Sequence, residues 1–288
     1  MRDYVILTDS CCDFSARMAE ELELTVLPLS FTMEGREYFN YPDNRDIAPA
    51  EFYSKIRSGA LGTTSAINVA AFQTAMEPLV EAGRDILCIS FSSNLSTTYQ
   101  SACIAAQEVQ AAHPECKILV ADSRAASLGQ GLLVYLAVQE KRKGRSLEEL
   151  HSYVEEMRDH ICHWFTVDDL NHLKRGGRVS AAAALFGTML QMKPILHVDG
   201  EGRLIPVDKV RGRKASISAL LEKMDELVED PSVVFISHGD CGEEAAALGD
   251  AIRRKYPVER LEINYVGPVI GNHTGCGVLA LFFVGKHK

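Results

Sequence analysis

Three short stretches of the chain concentrate side chains that can grip an anion. Gly62-Thr63-Thr64-Ser65 is the first, and Ser92-Ser93-Asn94-Leu95-Ser96-Thr97-Thr98-Tyr99 is the second. The third, Gly267 to Gly277, sets His273 among four glycines in eleven residues. Neutral hydroxyl and amide donors gathered in this way suit a carboxylate or a phosphate. The second stretch leads into an expected helix, whose free N–H groups and dipole favour negative charge. The plainer role for Ser96 or Asn94 is to cap that helix. His273 could donate to an anion or titrate near neutral pH. The glycines around it either let the backbone approach a ligand or simply form a turn with positive φ.

Catalytic signatures are scarce. There is no Gly-x-Ser-x-Gly elbow, no P-loop and no Gly-x-Gly-x-x-Gly dinucleotide fingerprint. His238-Gly239-Asp240-Cys241 is the nearest approach to a metal cluster, but ligands crowded into one tight turn coordinate poorly. Asp9 and Asp122 each follow an expected strand, where capping is their simplest role. No catalytic residue, metal or cofactor is therefore assigned. The alternative kept open is a phosphotransferase or hydrolase acting on a small anionic substrate through His273 or Asp9. Two basic runs, Lys174-Arg175 with Arg178 and Lys209 to Lys214, interrupt a chain of net charge −9. They are either solvated surface or a place where an acidic partner docks.

The elements that must position these groups follow from hydropathy patterning. Short apolar runs alternate with longer amphipathic stretches, the pattern of an α/β protein. Strands are predicted at Tyr4–Leu7, Val26–Phe31, Ile86–Phe91 and Ile118–Ala121. Four more are predicted at His163–Val167, Ile195–Val198, Val233–Ser237 and Leu261–Val266, with a last one at Val278–Val284. Ala70–Ala82 and Ser101–Ala112 pattern as helices. So does the stretch around Ile217, Leu220, Leu221, Met224, Leu227 and Val228, an apolar stripe expected to pack in the core. Ser146 with Glu149 three residues on makes a capping box for a helix running to about Asp159. A domain boundary is placed near here, giving an N-terminal unit 1–155 and a C-terminal unit 156–288.

The chain has 288 residues, 47% of them apolar and 24% charged, enough for a sizeable core in one large or two ordinary domains. An acidic balance argues against a nucleic-acid-binding face. Neither a signal peptide nor an apolar run long enough to span a membrane is visible, so a cytoplasmic protein is expected. Eight cysteines without a Cys-x-x-Cys pair are expected to be mostly buried free thiols.

Taken together, the motifs resemble those of the DegV family. Thr8-Asp9-Ser10, Thr63-Thr64-Ser65 and Ser92-Ser93-x-Leu95-Ser96-x-Thr98-Tyr99 carry the first part of the resemblance. Val167-Asp168-Asp169-Leu170-Asn171, Leu173-Lys174-Arg175-Gly176-Gly177-Arg178-Val179-Ser180, Lys193-Pro194-Ile195-Leu196 and Gly267-Pro268-Val269-Ile270-Gly271-x-His273-Thr274-Gly275 carry the rest, in order over nearly the whole chain. The resemblance implies two α/β domains with a long-chain fatty acid in a tunnel at their interface. It also implies a fatty-acid-binding subunit of a bacterial fatty acid kinase system, in which a separate kinase phosphorylates the bound carboxylate and the acyl phosphate feeds phospholipid synthesis. Thr64, Ser65, Ser93 and Ser96 would then hold the carboxylate with His273 beside it, and Arg178 and Arg211 would dock the kinase. The chain departs from the family pattern at Ala66-Ile67, Thr97 and Cys276. Ala181–Leu185 and Gly187–Met192, small or flexible apolar residues, would line the tunnel or form ordinary helix core.

Overall fold

The computed structural model describes residues 2–179 and 191–288. Most of the expected tunnel lining, 181–185 and 187–190, lies outside the described residues.

The first half supplies strands β1 (Tyr4–Asp9), β2 (Thr25–Leu27), β3 (Ser30–Met33), β4 (Arg36–Phe39), β5 (Gly62–Ser65), β6 (Asp85–Ser90) and β7 (Ile118–Asp122). The second supplies β8 (Ile161–Thr166), β9 (Met192–Val198), β10 (Leu204–Arg211), β11 (Val228–His238), β12 (Arg260–Tyr265) and β13 (Leu279–Gly285). The helices are α1 (Ala16–Glu21), α2 (Pro49–Arg57), α3 (Val69–Glu81), α4 (Thr98–Ala112) and α5 (Leu128–Arg142). They continue with α6 (Leu147–Met157), α7 (Asn171–Arg175), α8 (Arg213–Leu227), α9 (Gly242–Lys255) and α10 (Pro268–Thr274).

Among the described residues the strands form three sheets. A parallel sheet runs β2-β1-β6-β7, a small antiparallel one β4-β3-β5, and a mixed one β10-β9-β8-β13-β11-β12. The α/β expectation is met. One predicted strand, Val26–Phe31, is in fact two: Pro28 and Leu29 separate β2 in the parallel sheet from β3 in the small sheet. Proline lacks the N–H that a continuing ladder needs.

The burial pattern explains the stacking. β1 is buried along its whole length, with Val5 and Leu7 facing one core and Tyr4 and Ile6 the other. Apolar residues on both faces mark a strand covered on both sides. On one side lie the small sheet and helices α2 to α4, where Phe31, Phe52 and Phe72 are fully buried. On the other lies α5, whose buried residues run from Leu128 to Val138. This helix packs on the parallel-sheet side and also against β8, β11 and β13, so one core spans the two larger sheets. The far face of the mixed sheet is closed by α8 and α9 through Leu220, Met224, Leu248 and Ile252. The α6 capping box forms as expected, with Ser146 and Glu149 exchanging side-chain and backbone bonds. All eight cysteines are free thiols, and Cys11 and Cys12 are fully buried in a short 3-10 turn.

Candidate functional site

A cavity of about 480 Å³ lies between strands of the first half and strands of the second. That is within the range of roughly 300–1,000 Å³ usual for small-molecule sites. Its apolar wall includes Phe91, Phe165, Leu204, Val266 and Phe282. The polar part of the wall holds Thr64, Ser65, Ser93, Ser96 and His273, so the five residues singled out as an anion cluster do share one cavity.

Each is positioned by a different device. Thr64 lies on β5, paired with Phe31 of β3. Ser93 and Ser96 lie in the turn between β6 and α4, beyond the C-terminal end of a parallel strand, where open α/β sheets place ligands. Asp122 fixes that turn by accepting the N–H of Ser93 at 3.2 Å and that of Arg124 at 3.0 Å. Ser96 Oγ accepts the N–H of Thr98 at 3.3 Å and shares a 2.9 Å bond with its hydroxyl, while the N-cap of α4 is Thr97, whose side chain makes no capping bond.

The glycine-rich third stretch is a helix rather than a turn over Pro268–Thr274. Proline opens it at its first position, where the missing N–H costs nothing, and Gly275 at φ +73° ends it. His273 sits in the last turn of α10. Its Nε2 and Thr64 Oγ1 are 2.9 Å apart and share a hydrogen bond. A Cβ on Gly176 would come within 2.1 Å of His273 Nδ1, so glycine there makes room for the ring. Burial, helped by the nearby Arg178 charge, pushes the imidazole down to about 4. The expectation that His273 titrates near neutral pH is corrected: the ring is neutral there, one nitrogen a donor and the other an acceptor.

Arg178, read as a docking residue, is itself part of the cavity wall. Its Nε donates to Leu95 O at 3.3 Å and its Nη1 to Gly176 O. Arg211 is elsewhere, exposed at the end of β10 opposite Met192 and not in that wall. Asp9 has its carboxylate engaged by Phe91 N–H, Ser90 Oγ, Cys11 N–H and Gln130 Nε2, at 2.8 to 3.2 Å. It braces the end of β1 and is not in the cavity wall. Among the described residues, no group of three or more His, Cys, Asp or Glu side chains could hold a metal ion. Nor is any helix there long and apolar enough to cross a membrane. Sequence reasoning missed Ser127 and His163, both buried and both in the wall. Neither lies in a hydroxyl-rich run, and only an Ala-x-Ser-x-Gly spacing at Ala125–Gly129 hinted at the first.

An α/β frame enclosing a largely apolar cavity, with a few hydroxyls, two histidines and one arginine in its wall, has the make-up of a site for a small amphipathic molecule. The chain belongs to the DegV family: the model of the family described as "Uncharacterised protein, DegV family" matches residues 3–286. It is 44% identical over 290 residues to a DegV domain-containing protein of Clostridium perfringens, covering 100% of this chain and 99% of the relative. Two solved structures are similar throughout. One is described as fatty acid binding of a DegV family protein from Thermus thermophilus, with 31% identity, TM-score 0.88, and 99% and 100% of the two chains covered. The other is DegV, a fatty acid binding protein from Bacillus subtilis, with 31% identity, TM-score 0.86 and the same coverage.

Proposed function

We propose that this chain binds a long-chain fatty acid and presents its carboxylate to a separate fatty acid kinase in the cytoplasm, leaving the phosphorylation chemistry to that partner. The observation that carries the reading is the cavity itself: an apolar wall for the chain, and Thr64, Ser65, Ser93, Ser96 and His273 gathered in it for the head group. About fourteen methylenes at roughly 0.8 kcal/mol each would contribute on the order of 11 kcal/mol before the costs of association. Binding of that size needs no strong clamp on the head group, and Arg178, the cation in the wall, is engaged with the Leu95 and Gly176 carbonyls. Residues 1–155 and 156–288 act here as two units, each supplying part of the wall. The fatty-acid-binding relatives point the same way. Arg178 and Arg211 are the docking candidates, with the exposed Lys174, Arg175 and Lys214 adding positive charge.

The test has two arms. Organic extraction of the purified protein followed by mass spectrometry should recover fatty acid in near-stoichiometric amount. Arg211→Glu combined with Lys214→Glu, both exposed and outside the cavity wall, should abolish acyl-phosphate formation by added kinase while lipid remains bound. An empty protein whose thermal stability ignores added fatty acid would sink the binding reading. A double variant phosphorylated at the parental rate would sink the docking assignment.

A further inference from the structure

Ser127 differs from the other hydroxyls of the cavity wall in its backbone. It has φ 55° and ψ −148°, a conformation that glycine tolerates and side chains avoid, and one that clusters at functional sites. The residue stands on the turn from β7 into α5, at the head of a fifteen-residue helix, yet its side chain caps nothing. Instead, the hydroxyl points into a buried polar chain. Ser127 Oγ lies 2.5 Å from Asp13 Oδ2 and 2.8 Å from Ser237 Oγ. With one proton to give, it donates to the carboxylate and accepts from Ser237.

Asp13 is 5% exposed, and its other oxygen, Oδ1, faces the backbone of Gly267. Burial pushes its carboxyl up to about 7, against the pull of the Ser127 bond. A carboxylate of that basicity takes up a proton readily near neutral pH. The local sequence is Ala125-Ala126-Ser127-Leu128-Gly129. That is the spacing of a nucleophile elbow with alanine for its first glycine, here at the end of a loop of residues 123–126 that joins β7 to α5. Leu128 holds the position whose N–H, in an elbow, polarises the acyl carbonyl.

We propose that Ser127 is an acyl-acceptor site, which an activated long-chain acyl group in the cavity, an acyl phosphate or a reactive ester, esterifies. Ser127 Oγ attacks the carbonyl carbon and forms the new C–O bond. The serine proton passes to Asp13, and the leaving group departs with the electron pair of the bond that breaks. A free fatty acid has no such leaving group and stays reversibly bound. The proposal rests on the fatty-acid reading of the cavity and adds a covalent state to it.

The full chain is incubated with p-nitrophenyl palmitate and followed by nitrophenolate absorbance, intact mass and peptide mapping, with palmitate binding measured in parallel. The expected result is a burst of one nitrophenolate per chain and a palmitoyl ester on Ser127. Ser127→Gly, which suits the observed backbone but takes a hydrogen bond from Asp13 and Ser237, should still fold and bind palmitate and form no ester. Asp13→Asn should slow acylation at least tenfold. No ester on a chain that binds palmitate, an ester on another residue, or one that persists in Ser127→Gly overturns the proposal. A chain that binds no palmitate overturns the fatty-acid reading and the proposal with it.

Discussion

Thr64 and His273 are 209 positions apart and share one hydrogen bond in the cavity wall. Their types are legible in the sequence as anion-gripping side chains, and so are Ser65, Ser93 and Ser96. The protonation state of His273 is not. It depends on burial and on the Arg178 charge, neither of which one-dimensional spacing reveals. The same holds for Ser127, whose significance lies in a backbone angle and in a carboxylate from a distant segment. If the hydroxyls hold a carboxylate as neutral donors, each is worth about one ordinary hydrogen bond. Thr64→Ala and Ser93→Ala should then each weaken fatty-acid binding by about 1 kcal/mol, roughly fivefold in Kd by calorimetry. Unchanged affinity in the double variant would place the head group elsewhere.

At the scale of elements, legibility follows the completeness of burial. β1, β6 and β13 are continuous apolar runs, and the capping box marks the start of α6 from residue types alone. By contrast, α5 is hard to read because it is buried on nearly every side, so it has no polar face to beat against an apolar one. The short β4 and β5 carry too few apolar residues for either period to show, and in β10 Pro206 and the charged run Asp208-Lys209 break the alternation. The helix α10 is hidden by its glycines. One of them, Gly271, lies where a Cβ would meet Phe52 at 2.7 Å and the Tyr53 hydroxyl at 2.9 Å. The glycine lets α10 lie close against α2, and with it His273. Gly271→Ala should overpack this contact and cost about 1–3 kcal/mol in urea unfolding. It should also weaken fatty-acid binding by displacing the histidine. A variant as stable as the parent would show that α10 has room to shift.

On the scale of the molecule, polar contacts tie the two halves beside the cavity. Asp13 and Ser127 come from the first, Ser237 from the second, and Asn264 of β12 donates to Asp13 O at 2.8 Å. Burial raises the Asp13 carboxyl to about 7 from the ordinary 3.8, so the folded chain holds this proton more tightly than the unfolded one. Its stabilising contribution is complete below pH of about 4 and is lost as the pH rises through about 7. Asp13→Asn removes that dependence. The Tm of the variant minus that of the parent should therefore climb between pH of about 4 and 7 and level off above about 8. A difference constant with pH would mean that Asp13 titrates as an ordinary carboxylate.

The Thr64–His273 bond also joins the first half to the second, at β5 and α10. For a lipid seated between them, any parting of the walls on exit breaks this hydrogen bond, which resists it. Residence time then becomes a property of how often the chain breathes rather than of how greasy its ligand is. Under the proposed function, slow release of this kind would favour passing the acid on within an encounter over losing it to water.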